Sequence, residues 1–348
     1  GYAAFYSTFP VSIYDGQVIT ATDTDPSINT SEFSAYLGGM ERQVISEDFP
    51  WHYMINEDGE PSITDNSDFE AIQNAFQHWE DIPTSQVSFA FDGYTTENLA
   101  KSDDNINLVT FTDYEFPLSP GVLAVVAKTL EIDENSQETR ITDTDIVFNP
   151  DVTNSSKYRF TTDGGDDYSY DIESIATHEI GHVIGLVHSG VVRSTMFFVL
   201  RPRNEARSLE ADDIAWASYM YHDPEDPGDL YNQTFGSISG NVIDGYQPDV
   251  PIGGALLLAT RLVNGNYIDS VHAYTDAAGN YHIPGLEEGI HHVSLQPLDG
   301  NVHGYPMLPA HVSPYVYANA NITDFSHEWY QQNDGFDDES GTPPDDIN

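Results

Sequence analysis

One stretch of twelve residues constrains this chain more than any other part of its sequence: Thr177-His178-Glu179-Ile180-Gly181-His182-Val183-Ile184-Gly185-Leu186-Val187-His188. His178 and His182 are four residues apart, so on a helix their imidazoles share one face and can reach the same ion. Gly185 can adopt the left-handed conformation that ends a helix, which turns the chain and brings His188 towards the other two histidines. The stretch therefore predicts a helix, a glycine turn and a metal site made by three histidines.

This ligand set is typical of a catalytic zinc. Three nitrogen ligands leave one of the four zinc positions open, whereas protein ligands fill all four positions of a structural zinc. Glu179 follows the first ligand, where its carboxylate can approach a metal-bound water without ligating the metal. Such a water has a pKa near about 7, so Glu179 can take its proton while the hydroxide attacks a polarised carbonyl. The residues thus predict zinc-dependent hydrolysis of a peptide bond, with Glu179 as the catalytic base.

The stretch HEIGHVIGLVHS resembles the metzincin clan of metalloproteases, and Ser189 after the third histidine resembles the matrixin branch of that clan. Met196 stands where metzincins have their Met-turn, which implies that it packs beneath the three histidines. Phe198 stands where serralysins and astacins carry a tyrosine, and this difference favours the matrixin branch. Three further segments are matrixin-like, so that the resemblance covers about residues 45 to 222: 71–79, 144–149 and 209–214.

The resemblance implies an α/β (α+β) catalytic domain, in which a twisted, mostly parallel sheet has helices behind it. It also implies a cleft beside an edge strand that pairs with an extended substrate. The hydrophobic pattern predicts helices and strands in this region as follows: helices over 69–79, 170–185 and 209–221, and strands over 87–91, 106–111, 122–130 and 145–148. Ser67 or Asp68 is the predicted cap of the first helix, and Ser208 that of the last.

Prolines, a glycine and carboxylates at residues 222–229 predict a boundary between two domains. Beyond it, alternating strands with the turn sequences Asn264-Gly265-Asn266 and Ala278-Gly279-Asn280 predict a small all-β sandwich. Segments 236–242, 251–255 and 275–286 resemble the transthyretin-like, carboxypeptidase-regulatory-like β domain. Either this domain stabilises or spaces the catalytic domain, or it binds a substrate or the cell surface. Its histidines are interpreted as exposed strand side chains, with a metal patch as the alternative: His272, His282, His291 and His292.

The predicted organisation has five parts. It consists of an N-terminal arm or pro-segment remnant (1–45), a matrixin-like zinc protease domain (46–222), a linker (223–235), a transthyretin-like β-sandwich (236–328) and an acidic tail (329–348).

The formal net charge of −46 is the outlier of the composition, with 57 Asp and Glu against 11 Lys and Arg. A surface this acidic excludes nucleic acid as a natural partner, and it repels itself at low ionic strength. We infer a halophilic or marine source. The alternative is an acidic extracellular protein that holds several calcium ions on its carboxylates. The candidate calcium ligands lie in two groups: Asp163, Asp166 and Asp167, and Asp143 and Asp145.

The absence of cysteine from the chain, and of histidine from part of it, excludes several kinds of site. The chain has no cysteine, so it can form neither a disulfide nor a thiolate metal site, nor the cysteine latch that the matrixin resemblance would imply. Residues 92–177 have no histidine, and we therefore expect the second, structural zinc of matrixins to be absent. No apolar run approaches the roughly 20 residues that span a bilayer. Because Gly1 is not an initiator methionine, we expect a secreted, extracellular protein whose signal segment has been removed.

The leading hypothesis is a monomeric endopeptidase that degrades extracellular proteins and peptides in a saline environment. One alternative is a catalytically silent metzincin-like protein that binds extracellular matter, and the intact Glu179 argues against it. Another is a narrow processing protease with one substrate. Cleavage of casein or gelatin separates the leading hypothesis from both alternatives.

Overall fold

The computed structural model describes most of the chain beyond residue 48. The described residues are 20–24, 30–34, 43–45, 49–102, 104–118, 121–132, 139–153, 155, 157–166, 168–200, 206–223, 228–244, 250–302, 304–312, 328–331 and 335–337. The elements up to residue 222 are, in chain order, β1 (Thr20–Thr24), β2 (Thr30–Ser34), β3 (Gln43–Ile45), β4 (Trp51–Asn56), α1 (Ser67–Glu80), β5 (Phe89–Thr95), β6 (Leu108–Thr110), β7 (Ala124–Ile132), β8 (Thr139–Phe148), α2 (Pro150–Thr153), β9 (Arg159–Thr161), β10 (Ser169–Asp171), α3 (Ile172–Val183) and α4 (Ala211–Tyr221). Among the described residues, no helix is both long and apolar enough to cross a lipid bilayer.

Six strands form the main sheet. Five of them are neighbours in the order β3-β8-β6-β4-β5, and the sixth, β7, also pairs with β8. Every neighbouring pair is parallel except β7 and β8, which are antiparallel. The sheet is therefore mostly parallel, as the resemblance to matrixins implied. In the described part of the chain β7 pairs with β8 alone, so β7 is an antiparallel edge strand.

Helices α1 and α3 pack on each other and on this sheet. The apolar face of α1 is buried, because its apolar residues recur every three or four positions: Ala71, Ile72, Ala75, Phe76 and Trp79. Tyr53 of β4 stacks on Phe76 with ring centroids 3.7 Å apart. Trp79 is fully buried, and its indole N–H donates to the carbonyl of Thr177 at 2.8 Å. This hydrogen bond fixes the position of α3 relative to α1 on the sheet.

The second part of the chain is built mainly of strands. Its elements are α5 (Leu230–Thr234), β11 (Phe235–Asn241), β12 (Leu256–Val263), β13 (Asn266–Tyr274), β14 (Asn280–Glu287), β15 (Ile290–Gln296), a 3-10 turn at Pro309–His311, β16 (Glu328–Gln331) and β17 (Gly335–Asp337). One sheet has the order β13-β12-β15-β16-β17, and the other pairs β11 with β14. An apolar core that includes Leu257, Val271, Ile283 and Val293 lies between the two sheets. We call residues 235–312 with β16 and β17 the β module.

Helix α4 joins the two parts. Ala217 belongs to the core beneath the main sheet, whereas Ala215 belongs to the core of the β module. Gly285 of β14 lies against Ala215 so closely that a Cβ at Gly285 would be 2.3 Å from the Cβ of Ala215. The indole N–H of Trp216 donates to the carbonyl of His272 at 3.0 Å. The two parts therefore pack without a layer of solvent between them.

Several expectations are corrected at the ends of elements. Neither Ser67 nor Asp68 caps α1, because its N-cap is Asn66, with φ 64° and no side-chain cap, and the Asp68 carboxylate accepts the N–H of Glu60 instead. Ser208 does not cap α4, since Glu210 and Asp213 form a capping box there. Strands β16 and β17 begin at residues 328 and 335, where an acidic solvated tail was expected; β16 pairs with β15, and β17 pairs with β16.

Three of the histidines interpreted as exposed are buried: His272, His291 and His292. His272 meets the Asp212 carboxylate of α4, and the ring nitrogen of His292 meets the hydroxyl of Tyr267. The alternation pattern could not show this, because both faces of the β12–β15 pair are covered by other parts of the chain. The candidate calcium ligand Asp167, most of the expected N-terminal arm and the end of the tail lie outside the described residues.

Candidate active site

Helix α3 presents the first two histidines. The buried Asp171 side chain caps it by accepting the N–H of Ser174 at 2.9 Å. Arg207 holds the same carboxylate from the other side, with Nε 2.8 Å from Oδ1 and Nη2 2.5 Å from Oδ2. The helix ends at Val183, and Gly185 follows with φ 87°, the left-handed conformation that the sequence predicted. The chain then turns back and places His188 beside the helix.

His178, His182 and His188 converge. The Nε2 atoms of His178 and His182 are 3.1 Å apart, and those of His178 and His188 are 3.2 Å apart. Among the described residues, these three form the one group of three or more His, Cys, Asp or Glu side chains whose ligand atoms all lie within 4.8 Å of one another. The structure thus brings together the three residues that the sequence proposed as ligands.

Backbone carbonyls fix the tautomer of each ring. The Nδ1 atoms of His178, His182 and His188 lie 2.7, 2.8 and 2.7 Å from the carbonyl oxygens of Thr195, Leu186 and His311. A carbonyl oxygen only accepts hydrogen bonds, so each Nδ1 carries the hydrogen and donates it. In a neutral imidazole the hydrogen is then absent from Nε2, whose lone pair is free to bind a metal.

Burial keeps two of these rings neutral. It lowers the pKa of His182 well below the ordinary value and that of His188 to about 4, because a charged imidazole would lose its hydration. Unprotonated Nε2 atoms about 3 Å apart repel one another through their lone pairs, and a cation between them removes that repulsion. A tetrahedral zinc with Zn–N bonds of about 2.0–2.1 Å places its nitrogen ligands about 3.3–3.4 Å apart. The donor set fits zinc.

Comparison with known protein families decides the identity of this fold. The family model of the matrixins (Peptidase_M10) matches residues 48–222, just over half of the 348 residues. The chain belongs to the matrixin family. The match begins before β4 and ends after α4, so the matrixin domain contains α1, α3, the three histidines and every strand of the main sheet except β3.

Curated relatives of this matrixin include plant enzymes. Metalloendoproteinase 1-MMP of Arabidopsis thaliana is 43% identical over 58 residues, 17% of this chain and 16% of that protein. Metalloendoproteinase 4-MMP of Arabidopsis thaliana is 45% identical over 51 residues, 15% of each chain. Metalloendoproteinase 1 of Glycine max is 42% identical over 53 residues, 15% of this chain and 17% of that protein. The matched stretch spans about a sixth of each relative, and these names with the family support a zinc metalloendopeptidase.

Met196 lies directly under the active-site helix of the matrixin domain. It is 2% exposed, and its sulfur is so close to Gly181 that a Cβ at that position would lie 2.2 Å from it. The carbonyl of Met196 accepts the N–H of Ser189 at 2.8 Å, which ties this turn to the loop of the third histidine.

Asp213 of α4 holds the turn that contains Met196. Its buried carboxylate accepts hydrogen bonds from the Ser194 hydroxyl and from the backbone N–H groups of Thr195, Met196 and Glu210. Sequence reasoning did not assign this role, although Asp213 lies in the matrixin-like segment 209–214. The likeness of that segment to matrixins is the signal that could have identified Asp213.

Glu179, the expected base, lies on α3 beside His178 and is 6% exposed. Phe197 and Phe198, which follow Met196, are buried against residues of the β module that include Leu256, Leu298 and Met307. The loop after the third histidine is thus in contact with both parts of the chain.

The described calcium candidates have protein partners. Asp163 accepts from the hydroxyl of Thr161 and the N–H of Gly165, and Asp166 pairs with Arg159 at 2.9 Å. Asp145 accepts the N–H groups of Lys101 and Leu108 at 2.9 Å each, and Asp143 is buried near it. Calcium binding at either group stays a prediction.

Proposed function

We propose that this matrixin is a zinc endopeptidase that cleaves proteins outside the cell, with His178, His182 and His188 as zinc ligands and Glu179 as general base. The convergence of three Nε2 atoms, each on a ring held by a carbonyl, is the observation that carries the proposal. The family match and the names of the plant relatives support the same activity. Secretion and a saline environment are further parts of this proposal, and the saline environment rests on the acidic composition.

The catalytic step follows from the position of Glu179. When bound, zinc supplies a Lewis acid that polarises a carbonyl and acidifies a water. The Glu179 carboxylate takes a proton from the attacking water and delivers it to the leaving amide nitrogen, so that the amine departs neutral. Because Glu179 is almost completely buried on α3, its carboxylate is held in place rather than sampling solvent.

Strand β7 is the proposed docking edge for the substrate. It is an edge strand of the main sheet, and it pairs with β8 through its whole length. Lys128 of β7 reaches the carbonyl of His182 at 3.3 Å, so this strand runs beside the active-site helix. An extended peptide can add to such an edge through backbone hydrogen bonds and present its carbonyl to the site.

The test compares casein hydrolysis by the wild-type protein, Glu179→Gln and the control Glu70→Gln in buffer with abundant salt and calcium. We expect Glu179→Gln to lose about 10²–10⁴-fold in rate, with one zinc still bound, because the proton acceptor is removed without changing a ligand. Glu70 is exposed on α1, and its variant should match the wild type. A zinc chelator should also abolish hydrolysis.

Three results would contradict the proposal. Glu179→Gln with undiminished activity would exclude the assigned base. Wild-type protein that binds one zinc and cleaves no protein or peptide would favour the silent binding protein. Cleavage of a single defined substrate without cleavage of casein would indicate the narrow processing protease instead.

A further inference from the structure

The third histidine is held by the β module rather than by the matrixin domain. His178 and His182 lie on α3, and their ring N–H groups donate to Thr195 and Leu186, both within residues 48–222. His188 lies beyond the helix, where the helical backbone no longer sets its direction. Its ring N–H donates to the carbonyl of His311, 123 residues further along the chain.

The backbone of His188 is also hydrogen-bonded to the β module. Its N–H lies 3.4 Å from the carbonyl of Val312, and its carbonyl accepts the hydroxyl of Tyr274 at 3.1 Å. The neighbouring Ser189 donates to Asp212, which in turn holds His272 of β13. Ring, N–H and carbonyl of the third ligand are thus all bonded to the β module.

The segment that supplies these carbonyls is itself fixed. The 3-10 turn at Pro309–His311 is closed by hydrogen bonds from His311 to Leu308 and from Val312 to Pro309. The ring of His311 stacks on Phe198 with centroids 5.0 Å apart and planes 12° apart, and its Nδ1 accepts the N–H of Leu308. Val312 is 1% exposed in the apolar cluster that contains Phe197 and Phe198. This segment therefore cannot move without disturbing the turn that follows Met196.

We propose that the β module is a working part of the metal site, in which Tyr274 and the 308–312 turn are positioning residues for the third zinc ligand. A hydrogen bond to the second nitrogen of a metal-binding histidine fixes its tautomer and direction, and loss of such a partner typically weakens metal binding about 10–100-fold. The module thus does more than stabilise or space the catalytic domain. This inference rests on the proposed function for the identity of the metal alone.

The test measures zinc affinity of the full chain by competition with a chelator. Tyr274→Phe removes the hydroxyl that holds the carbonyl of His188, and His311→Ala removes the stack and the side-chain bond that hold the 308–312 turn. Tyr267→Phe is the matched control, because it removes a hydroxyl hydrogen bond on the same strand, to His292. We expect about 10-fold weaker zinc binding in the first two variants and wild-type affinity in the control.

Two further readouts separate positioning from a general loss of stability. The rise in Tm on adding zinc should shrink in Tyr274→Phe and His311→Ala, since weaker binding stabilises the folded state less. The visible absorption of the cobalt-substituted protein should change in these variants and not in Tyr267→Phe, because it reports the geometry of the ligands.

The inference is overturned if both variants bind zinc within about twofold of the control. It is equally overturned if they lower the Tm of the metal-free and zinc-loaded protein by the same amount, since that would be a structural effect alone. Wild-type protein that binds zinc without cleaving any peptide would end the proposed function and leave these binding measurements intact. Unchanged zinc affinity in the variants of an active enzyme would overturn this inference and leave the proposed function standing.

Discussion

Asp171 is completely buried at the start of α3. Its carboxylate accepts hydrogen bonds from a backbone N–H and from the Arg207 guanidinium. Arg207 also reaches Glu173 at 3.0 Å and the carbonyl of Thr162 at 2.7 Å. A carboxylate near the N terminus of a helix is favoured by the helix dipole, and here a guanidinium neutralises it as well. One ion pair therefore sets the start of the helix that carries His178 and His182, two of the proposed zinc ligands.

Replacing Arg207 with alanine should destabilise the protein by about 3–5 kcal/mol, because Asp171 would remain as a buried charge without its partner. The pair between Arg159 and Asp166 is a suitable control, since both side chains are 55% exposed. Arg159→Ala should cost at most about 1 kcal/mol. Urea unfolding of the two variants measures both values, and equal costs would contradict the role assigned to Arg207.

Asp145 gives a prediction about pH. Burial raises its pKa to about 8, and the nearby Asp143 carboxylate adds to this effect. A carboxyl group whose pKa is higher in the folded than in the unfolded state binds its proton more tightly when folded. Its contribution to stability is therefore present near pH 4 and is lost as the pH rises towards 8, by at most about 1.4 kcal/mol per pH unit.

The difference in unfolding free energy between wild type and Asp145→Asn isolates this term, because other titrating groups contribute to both. We expect the difference to change steadily between about pH 4 and pH 8. Parallel curves would show that Asp145 does not titrate in this range. If calcium binds at Asp143 and Asp145, adding it should flatten the difference, since the ion holds both groups ionised.

At the scale of single elements, α3 is shaped by a residue that carries no side chain. Gly181 lies between the two histidines of the helix, where Met196 and Trp79 approach its backbone. Glycine is ordinarily a poor helix former, about 1 kcal/mol worse than alanine. Its presence here is explained by space, because a Cβ would lie 2.2 Å from the Met196 sulfur and 2.9 Å from Cζ2 of Trp79.

Gly181→Ala should therefore destabilise the protein by about 1–3 kcal/mol, against the gain that helix propensity alone would give. In a Met196→Ala background the same change should cost less, because the closest contact is gone. Chemical unfolding of the four proteins of this cycle measures the coupling. A gain in stability on Gly181→Ala in the wild-type background would contradict the packing described for Met196.

The hairpins of the β module show which features can be predicted from local sequence alone. Asn264 and Gly265 have φ 52° and 78°, as the two-residue turn between β12 and β13 requires, and the sequence identified this turn. The alternation predicts strands over 238–243, 255–263, 267–274, 281–283 and 291–295, and their ends lie within about four residues of those of β11 to β15. The strands β16 and β17 were missed because the carboxylates and prolines of residues 337–346, at and beyond the end of β17, suggested a solvated tail.

At the scale of the whole molecule, the net charge of −46 dominates the electrostatics. Raising the salt concentration from about 0.1 M to about 1 M shortens the Debye length from about 10 Å to about 3 Å, which screens repulsion between surface carboxylates. We expect the Tm to rise over this range of sodium chloride. The rise should exceed that in sucrose, which stabilises proteins by exclusion from their surface without screening charge.

A Tm that stays flat with sodium chloride, or that rises equally with sucrose, would remove the main argument for a saline environment. Scanning calorimetry at several salt concentrations provides the measurement. Calcium must be held constant in this series, so that binding at carboxylates is not mistaken for screening.

The sequence by itself was enough to predict which three histidines converge, to propose Glu179 as the base and to indicate the kind of fold. His178 and His182 are one helical turn apart and Gly185 is a helix-ending glycine, and both are local relations that the chain carries in its spacing. The hydrophobic periodicity likewise predicted α1, α3 and four of the six strands of the main sheet, whereas β3 and β4 were not predicted. Their caps were less predictable, since Asn66 and Glu210 took positions for which nearby Ser and Asp residues compete.

Only the tertiary structure decided what holds these residues in place. Arg207 reaches Asp171 across 36 positions and His311 reaches His188 across 123, and in the second contact the acceptor is a backbone carbonyl. Every residue has such a carbonyl, so no residue type marks the one that orients the third histidine. Packing of the β module on α4 and on the turn after Met196 selects it, and that packing is a property of the folded chain.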